Sequence, residues 1–411
     1  RPHCQFDLAG CGSNHRAMHD PATLALSRRT LLAGLGAGTA LAALPGCVTA
    51  ATAGGSPGGG AAARLLDDIA WNLLRHEPGR ATGLGVDTGA HADLRARLAD
   101  ASPEGVAAYA ATLEADLARV RAFDRAGLDP ATRTSLEVVE SAYATALAGF
   151  ALPYGDIPVG SWRTAPYVVI QNAGGYIDTP RFLDSEHPIA SRADAEAYLA
   201  RLAGAGAVLD GELERIRAAR AMGVVPPDFL LDKAIPQLEA SLADARNGGG
   251  LLVASLARRA AQQGIAGKWQ AEGDALVRER VVPALERQLA ELRVQRAAAG
   301  SAPGLWAQPH GDAWYAWSAR ASTTTSLSAD DIHAIGLAEL AEIHARMDPI
   351  LRDIGYSQGS VGERMTALAT DPRFMFAEGD PGRAEIMAFI EERIDWIRAQ
   401  MPRAFNTIVP A

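Results

Sequence analysis

Apolar residues recur at spacings of three and four along most of the chain from Arg64 onward, which is the period of an amphipathic α-helix. The segment after Asp380 shows this most clearly, because a single apolar stripe joins five residues, Ile386, Phe389, Ile390, Ile394 and Ile397. We expect this stripe to face the core. The pattern predicts a mainly α protein.

Helix boundaries can also be read from the sequence. Long helical patterns cover about 191 to 222, ending at Gly223, and about 266 to 299, where Pro283 should kink the helix. Three helix starts carry a capping side chain followed by a first-turn proline: Ser102-Pro103, Asp129-Pro130 and Asp380-Pro381.

Strand-like material is sparse. Only two short segments are strand-like because of their β-branched residues: YVVIQ at 167–171 and SARASTTT at 318–325. We therefore predict short β segments near 167–171 and 318–325 within an otherwise helical chain.

The N-terminal region resembles an export signal. Arg28 and Arg29 stand directly before an apolar stretch that is too short and too rich in glycine to span a bilayer comfortably. The six residues Ser27 to Leu32 resemble the bacterial twin-arginine consensus, which the twin-arginine export machinery reads as an address. We expect an exported, periplasmic protein.

A second signal follows. Leu44-Pro45-Gly46-Cys47 resembles a lipobox, whose cysteine would carry a lipid and tether the protein to the membrane, although proline replaces the usual small residue. Cleavage after Ala51-Thr52-Ala53 is the alternative. Only the lipid would contact the membrane.

These signals suggest the organisation of the chain. It opens at Arg1, and Met18 stands where a signal peptide would begin, so residues 1–17 look like upstream translation. We predict a signal peptide at 18–47, a flexible Gly/Ala/Ser linker at 48–63 and a helical domain at 64–411.

Composition narrows the function. With 411 residues, 48% of them hydrophobic, the chain can bury a sizeable core. A net charge of −9 without a basic block argues against a nucleic-acid partner. Only Cys47 follows Met18, so we expect no disulfide bond.

The stretch 330–347 holds two histidines in one predicted helix, which begins at Ser328 and Asp331 with capping-box spacing. His333 and His344 are eleven residues apart, about 16 Å along the axis, so they cannot share one zinc ion. No His-x-x-x-His pair occurs from Arg64 onward. We predict no metal site in this chain.

Glu339 falls inside the apolar stripe of that helix. A carboxylate on an apolar face needs a partner, so we expect Glu339 to be largely buried beside a cation or a Tyr hydroxyl. A structural ion pair, a solvated stripe edge and a role in a pocket remain open for it. His333 borders the same stripe and is either a satisfied core histidine or a catalytic histidine.

Several segments resemble the domain-of-unknown-function 885 family in order and spacing, from about Arg64 to the end. The resemblance rests on Tyr315, Arg320, Thr323–Thr325, Leu327–His333, Gly336–Glu339, 171–183 and 194–202.

This resemblance implies a bacterial, exported, largely helical protein of zincin-like peptidase architecture. Members carry a His-Glu-x-x-Pro-Gly-His-His type motif that would bind zinc and activate water for peptide hydrolysis. The motif is absent, and the family places it beyond Ala411, so we expect the catalytic part and its zinc in a longer protein. Tyr315, Arg320, His333 and Glu339 are then expected in the wall of the substrate cleft, and the catalytic residues are unknown.

A different class of function stays open. The chain could be an exported helical lipoprotein that binds a ligand or partner without catalysis, since a shared fold does not guarantee chemistry.

Overall fold

The computed structural model describes residues 57–160, 164–405 and 408, which fall into two compact units. The first unit is the described part of Ala50–Asp331, and the second is the described part of Ile332–Ala411. The predicted signal peptide, with Arg28, Arg29 and Cys47, lies outside the described residues.

Fourteen α-helices lie within the described residues, which confirms the mainly α fold class. They are α1 Pro57–His76, α2 Pro78–Gly83, α3 Pro103–Ala122, α4 Pro130–Phe150, α5 Gly175–Ser185, α6 Arg192–Ala221, α7 Asp228–Arg246, α8 Gly250–Gln262, α9 Trp269–Leu276, α10 Val282–Ala298, α11 Gly311–Thr323, α12 Ala329–Asp353, α13 Val361–Ala369 and α14 Asp380–Ala404. Three 3₁₀ segments, Gly89–Ala96, Leu305–Ala307 and Pro372–Phe374, and one π segment, Val277–Val281, complete the helical part.

Two apolar clusters form the core of the first unit. One is built by α5 to α10, with the long helix α6 running through it. The other is built by α1, α3, α4 and α11. A smaller third cluster joins Leu74, Ala81 and Leu94 where α1, α2 and the first 3₁₀ segment meet.

The predicted helix starts are confirmed, and two of them use the predicted cap. The Ser102 side chain accepts from the Gly105 amide and the Asp129 side chain accepts from the Thr132 amide. Helix α14 begins at Asp380, but its N-cap residue is Gly379 and the Asp380 side chain does not cap it. These local hydrogen bonds satisfy amides that the first helical turn leaves free.

Helix α6 ends as the sequence predicts. Gly223 adopts φ 86°, and the amides of Gly223 and Val224 donate to the carbonyls of Arg220 and Ala219. These hydrogen bonds end the helix, and the residue with the left-handed backbone conformation is a glycine.

A π segment lies directly before Pro283, where the sequence predicts a kink, and the bend itself stays a prediction. Proline has no amide to donate, and the preceding amide of Val282 reaches back five residues to the Val277 carbonyl. The helical rod from Trp269 to Ala298 continues on both sides of this segment.

Neither predicted β segment forms a strand. Residues 318–323 belong to α11, because Trp314 and Trp317 on one face of that helix are buried and override the β-branched residues that follow. Near 167–171 there is only an isolated bridge between Ile170 and Ala173.

Part of the predicted linker is helical. Helix α1 starts at Pro57, so residues 57–63 are helical. Ala62 is fully buried and packs in the same cluster as Leu65 and Ile69, which extends the helix into the Gly/Ala tract.

The expected burial of the α14 stripe is wrong for the described residues of the second unit. Phe389, Ile390, Ile394 and Ile397 are all exposed there, and Ile386 is half-buried. Helical periodicity fixes which residues share a face, but it does not supply a neighbour to cover that face.

None of the helices in the described part combines the length and apolar character that a membrane span requires.

Candidate functional site

A cleft with a volume of about 730 Å³ lies alongside α5 in the first unit. Its apolar lining residues include Leu98, Val106, Phe150, Ile157, Pro158, Val168, Phe182 and Val208. Its charged lining residues are Arg75, Glu77, Arg80, Arg97, Asp100, Asp156, Asp178, Glu212 and Arg215. Apolar walls with a few converging polar groups are the usual setting of a ligand site.

Glu212 forms the buried floor at one end of the cleft. Its side chain stands on α6 and accepts from the Gly175 amide at 2.7 Å and from Gln288 Nε2 at 3.0 Å. Burial raises the pKa of Glu212 to about 7, the Asp156 charge adds to this, and the two hydrogen bonds and Arg215 oppose it. A carboxyl group that titrates near neutrality inside a cleft is a functional-site candidate.

The charged neighbours of Glu212 come from the loop beside it and from the next turn of α6. Arg215 donates to the Asp156 carboxylate at 2.8 Å and to the Gly155 carbonyl at 2.8 Å. This pair fixes Asp156 beside the floor of the cleft.

A second polar group forms the other end of the cleft, where α1 meets α2. The Tyr109 hydroxyl donates to Glu77 at 2.6 Å, and Arg80 donates to the other oxygen of Glu77 at 2.8 Å. His76 stacks on Tyr109 with ring centroids 5.0 Å apart. Burial and the nearby Arg97 charge lower the pKa of His76, which keeps the imidazole neutral near pH 7.

Arg201 holds the loop that brings Arg97 to the cleft. Its guanidinium is fully buried and donates to the Arg97 carbonyl at 2.9 Å, to Thr82 Oγ1 at 2.6 Å and to His187 Nδ1 at 2.8 Å. Because arginine only donates, His187 Nδ1 accepts, and His187 Nε2 donates to the Asp194 carbonyl at 2.9 Å. Burial lowers the pKa of His187 to about 4, which keeps this acceptor neutral.

A smaller side pocket of about 130 Å³ shares Gly175 and Thr179 with the lining of the cleft. The rest of its lining is mostly apolar and includes Tyr176, Pro180, Ala205, Leu209, Leu252, Val281 and Leu285. Its size and lining suit an aliphatic group.

A family model described as a bacterial protein of unknown function (DUF885) matches residues 78–411. The chain belongs to the DUF885 family.

Two solved structures share the fold of this DUF885 chain. A putative lipoprotein from Colwellia psychrerythraea matches with a TM-score of 0.76 and 24% identity over 86% of this chain. A putative lipoprotein of unknown function from Shewanella oneidensis matches with a TM-score of 0.56 and 12% identity over 85% of this chain. The chain spans 61% and 59% of these two proteins. No curated protein matches the chain.

Four residues of the DUF885 chain were predicted to lie in a substrate cleft. Tyr315 and Arg320 lie on α11 and are exposed, with Tyr315 on the side opposite the buried tryptophans. His333 and Glu339 lie on α12 and are also exposed. None of the four lines the cleft or the side pocket. The expected burial of Glu339 is therefore wrong, and the assignment of the four residues to a substrate cleft stays a prediction.

The stripe around Glu339 explains that error. Leu340, Ile343 and Ile350 are exposed as well, so the apolar face that was expected to bury the carboxylate is itself in contact with solvent. A carboxylate on such a face needs no partner.

The described residues of the DUF885 chain do not fit a zinc ion. No group of three or more His, Cys, Asp or Glu side chains in this part of the chain is arranged to hold a metal. His76 and His187 are engaged in hydrogen bonds, and His91 stacks on Trp71 with ring centroids 3.4 Å apart. The absence of a zinc site from the whole chain stays a prediction.

Sequence reasoning missed Glu212, although the signal was present. On α6 this carboxylate falls between the apolar positions Leu209, Leu213 and Ile216 at helical spacing. The test that singled out Glu339, a carboxylate within an apolar stripe, applies equally to Glu212. In the structure the apolar stripe around Glu212 is buried, whereas the stripe around Glu339 is exposed.

Proposed function

We propose that the protein is an exported, lipid-anchored lipoprotein that binds a peptide in the cleft beside α5. The observation that carries the proposal is the combination of a cleft of about 730 Å³ with the buried carboxylate Glu212 on its floor. In such a cleft, a small number of charged groups fixes the orientation of a ligand and selects for its charge.

A peptide suits the two kinds of surface in this cleft. Apolar side chains such as Phe150, Val168 and Phe182 offer contact to peptide side chains. The polar groups at its two ends, Glu212 and Arg97 among them, offer hydrogen bonds to charged or amide groups. The acidic net charge of −9 is consistent with this class of ligand rather than with nucleic acid.

We further propose that the bound peptide is the substrate of a zinc metallopeptidase in a longer protein. This proposal rests on the resemblance to zincin-like peptidases and on the fact that the chain spans 61% of the Colwellia protein. The described residues do not supply a zinc site, so no hydrolytic step is assigned to them.

The export proposal rests on the twin arginine at Arg28 and Arg29 and the lipobox-like Cys47. Both solved structures that share the fold are described as putative lipoproteins, which is compatible with export and lipid attachment.

Calorimetric titration with a library of unmodified short peptides tests the binding function. We expect Val106→Trp, which fills the cleft from α3, to weaken peptide binding at least tenfold. Val138→Trp on the exposed face of α4 is the matched control and should leave binding unchanged. If no peptide binds, or if both variants bind as the parent does, the peptide function is wrong.

The same titrated peptides separate hydrolysis from simple binding. Mass spectrometry after incubation with zinc should show cleavage by the longer protein and intact peptides with the present chain. Peptides that are bound by the longer protein but never cleaved would favour the non-catalytic lipoprotein.

A further inference from the structure

We propose that the cleft recognises both free ends of a short peptide, holding its N-terminal ammonium near Glu212 and Asp156 and its C-terminal carboxylate near Arg97 and Arg75. This inference rests on the proposed peptide function and adds the length and direction of the ligand. It follows from how charge is distributed along the cleft.

The end at Glu212 carries an excess of negative charge. Glu212, Asp156 and Asp178 contribute three carboxylates there. Arg215 pairs with Asp156 at 2.8 Å, and Arg181 pairs with Asp178 at 3.2 Å in an exposed contact that contributes little. The three are neighbours, because Glu212 accepts from the Gly175 amide one turn before Asp178 on α5, and Arg215, one turn after Glu212 on α6, holds Asp156. A group with three N–H donors and a positive charge fits this end.

Glu212 can accept one more donor. Each of its two oxygens accepts one hydrogen bond, from the Gly175 amide and from Gln288, and a carboxylate oxygen has two lone pairs. An ammonium placed beside it would stabilise the ionised form, which burial alone disfavours.

The end at Arg97 carries an excess of positive charge. Arg75, Arg80 and Arg97 line it, and its one carboxylate, Glu77, is already held by Arg80 and by the Tyr109 hydroxyl.

Two of these arginines are held only weakly. Arg97 reaches Asp93 at 3.5 Å in an exposed pair, and Arg75 donates to the Asn72 amide oxygen at 2.9 Å. Exposed pairs of this kind contribute little, so both guanidinium groups are available to a ligand carboxylate.

The distance between the two ends sets the ligand length. Gly175, which donates to Glu212, and Phe182, whose ring lies 4.7 Å from the Arg201 guanidinium, are seven residues apart on α5, or about 10 Å. On α6, Arg201, which holds the Arg97 carbonyl, and Glu212 are eleven residues apart, or about 16 Å. An extended peptide covers about 3.3–3.6 Å per residue, so about three to five residues fit between the ends.

The charge in between does not disturb this direction. Asp100 lines the cleft but is exposed to solvent, and its carboxylate accepts from the Ser102 amide at 3.0 Å. Val106, Phe150 and Val208 also line the cleft and carry no charge.

Three probes test the inference by calorimetric titration at low salt: tri-alanine, N-acetyl-tri-alanine and tri-alanine amide. We expect tri-alanine to bind most tightly and each blocked form to bind about tenfold more weakly, because each block removes one charge-assisted contact.

Two variants assign each end of the peptide. Arg97→Gln should weaken binding of tri-alanine and of the N-acetyl form while leaving the amide unchanged, because the amide has no carboxylate. Asp156→Asn should weaken binding of tri-alanine and of the amide while leaving the N-acetyl form unchanged. Asp178→Asn is a second variant at the ammonium end, in case the loss of the Arg215 partner disturbs the loop.

Arg293→Gln and Asp232→Asn serve as controls, because both remove an exposed surface charge outside the cleft. They should leave the order and affinity of the three probes unchanged.

The outcomes separate this inference from the peptide function. The inference is overturned if the blocked and free forms of tri-alanine bind equally well. It is also overturned if a library peptide binds and Val106→Trp weakens that binding, while tri-alanine does not bind at all. In both cases the peptide function stands. If neither tri-alanine nor any library peptide binds, the peptide function itself fails.

Discussion

Arg201 shows at the scale of single residues how a buried charge shapes the cleft. Its guanidinium is fully buried, and its described donors go to main-chain carbonyls, Thr82 and His187. Burial lowers the pKa of Arg201 to about 10, which still leaves it charged near neutrality. The network therefore depends on His187 remaining a neutral acceptor.

This dependence predicts a loss of stability in acid. The pKa of His187 is about 4 in the folded protein and 6.5 for the ordinary imidazole. Between these values the unfolded chain binds a proton that the folded chain does not. The contribution of neutral His187 to the free energy of unfolding is therefore complete above pH 6.5 and is lost as the pH falls to 4. We expect the free energy of unfolding to fall by about 3 kcal/mol over this range through His187 alone.

Urea unfolding of the protein and of His187→Gln at several pH values measures this contribution. Glutamine can accept from Arg201 and donate to the Asp194 carbonyl without titrating, so the variant should lose less stability between pH 6.5 and 4. Equal pH dependence in both proteins would show that His187 does not couple to folding.

At the scale of elements, the contact between α4 and α11 is set by a glycine. A Cβ atom added at Gly149 would lie 2.3 Å from a ring atom of Trp317 and 2.9 Å from Ile157. Trp317 is buried and its Nε1 donates to the Thr145 carbonyl at 2.8 Å, so its ring has little freedom to move. The close approach of the two helices requires a residue without a side chain.

We expect Gly149→Ala to destabilise the protein by about 1–2 kcal/mol, because overpacking outweighs the better helix propensity of alanine. Gly204→Ala on α6 is the matched control, since the nearest atom to its added Cβ is Leu98 Cδ1 at 3.9 Å. That variant should be more stable than the parent by about 0.5–1 kcal/mol. Thermal unfolding of both variants decides the matter, and a stabilised Gly149→Ala would mean that Trp317 moves freely.

At the scale of the whole molecule, two apolar surfaces in the described residues are not covered by the folded core. The stripes of α12 and α14 in the second unit are exposed, which is unusual for long apolar faces. The twin arginine and Cys47 lie outside the described residues, so export and lipid attachment remain predictions from the sequence.

Cell fractionation tests this location. Replacing Arg28 and Arg29 with lysine should leave precursor in the cytoplasm, because the export machinery reads the arginine pair. Cys47→Ala should release soluble protein into the periplasm, because one lipid site is removed. Unchanged export of the first variant would exclude the twin-arginine route, and continued tethering of the second would exclude lipidation at Cys47.

Local chemistry determined much of the fold from sequence. The cap at Ser102, the glycine end at Gly223 and the distortion before Pro283 were all predicted, because each depends on hydrogen bonds within about five residues. The mainly α class follows from the same periodicity.

Only the tertiary structure decided which apolar faces are covered and where the cleft lies. Glu212 and Glu339 occupy equivalent positions in apolar stripes, yet one is buried and the other is exposed. Their difference depends on contacts made across long separations, such as Glu212 with Gly175 and Arg201 with Arg97, which are 37 and 104 residues apart. Helical periodicity describes one element at a time, so it determined the faces of the helices, while burial and the cleft required the packing of distant segments.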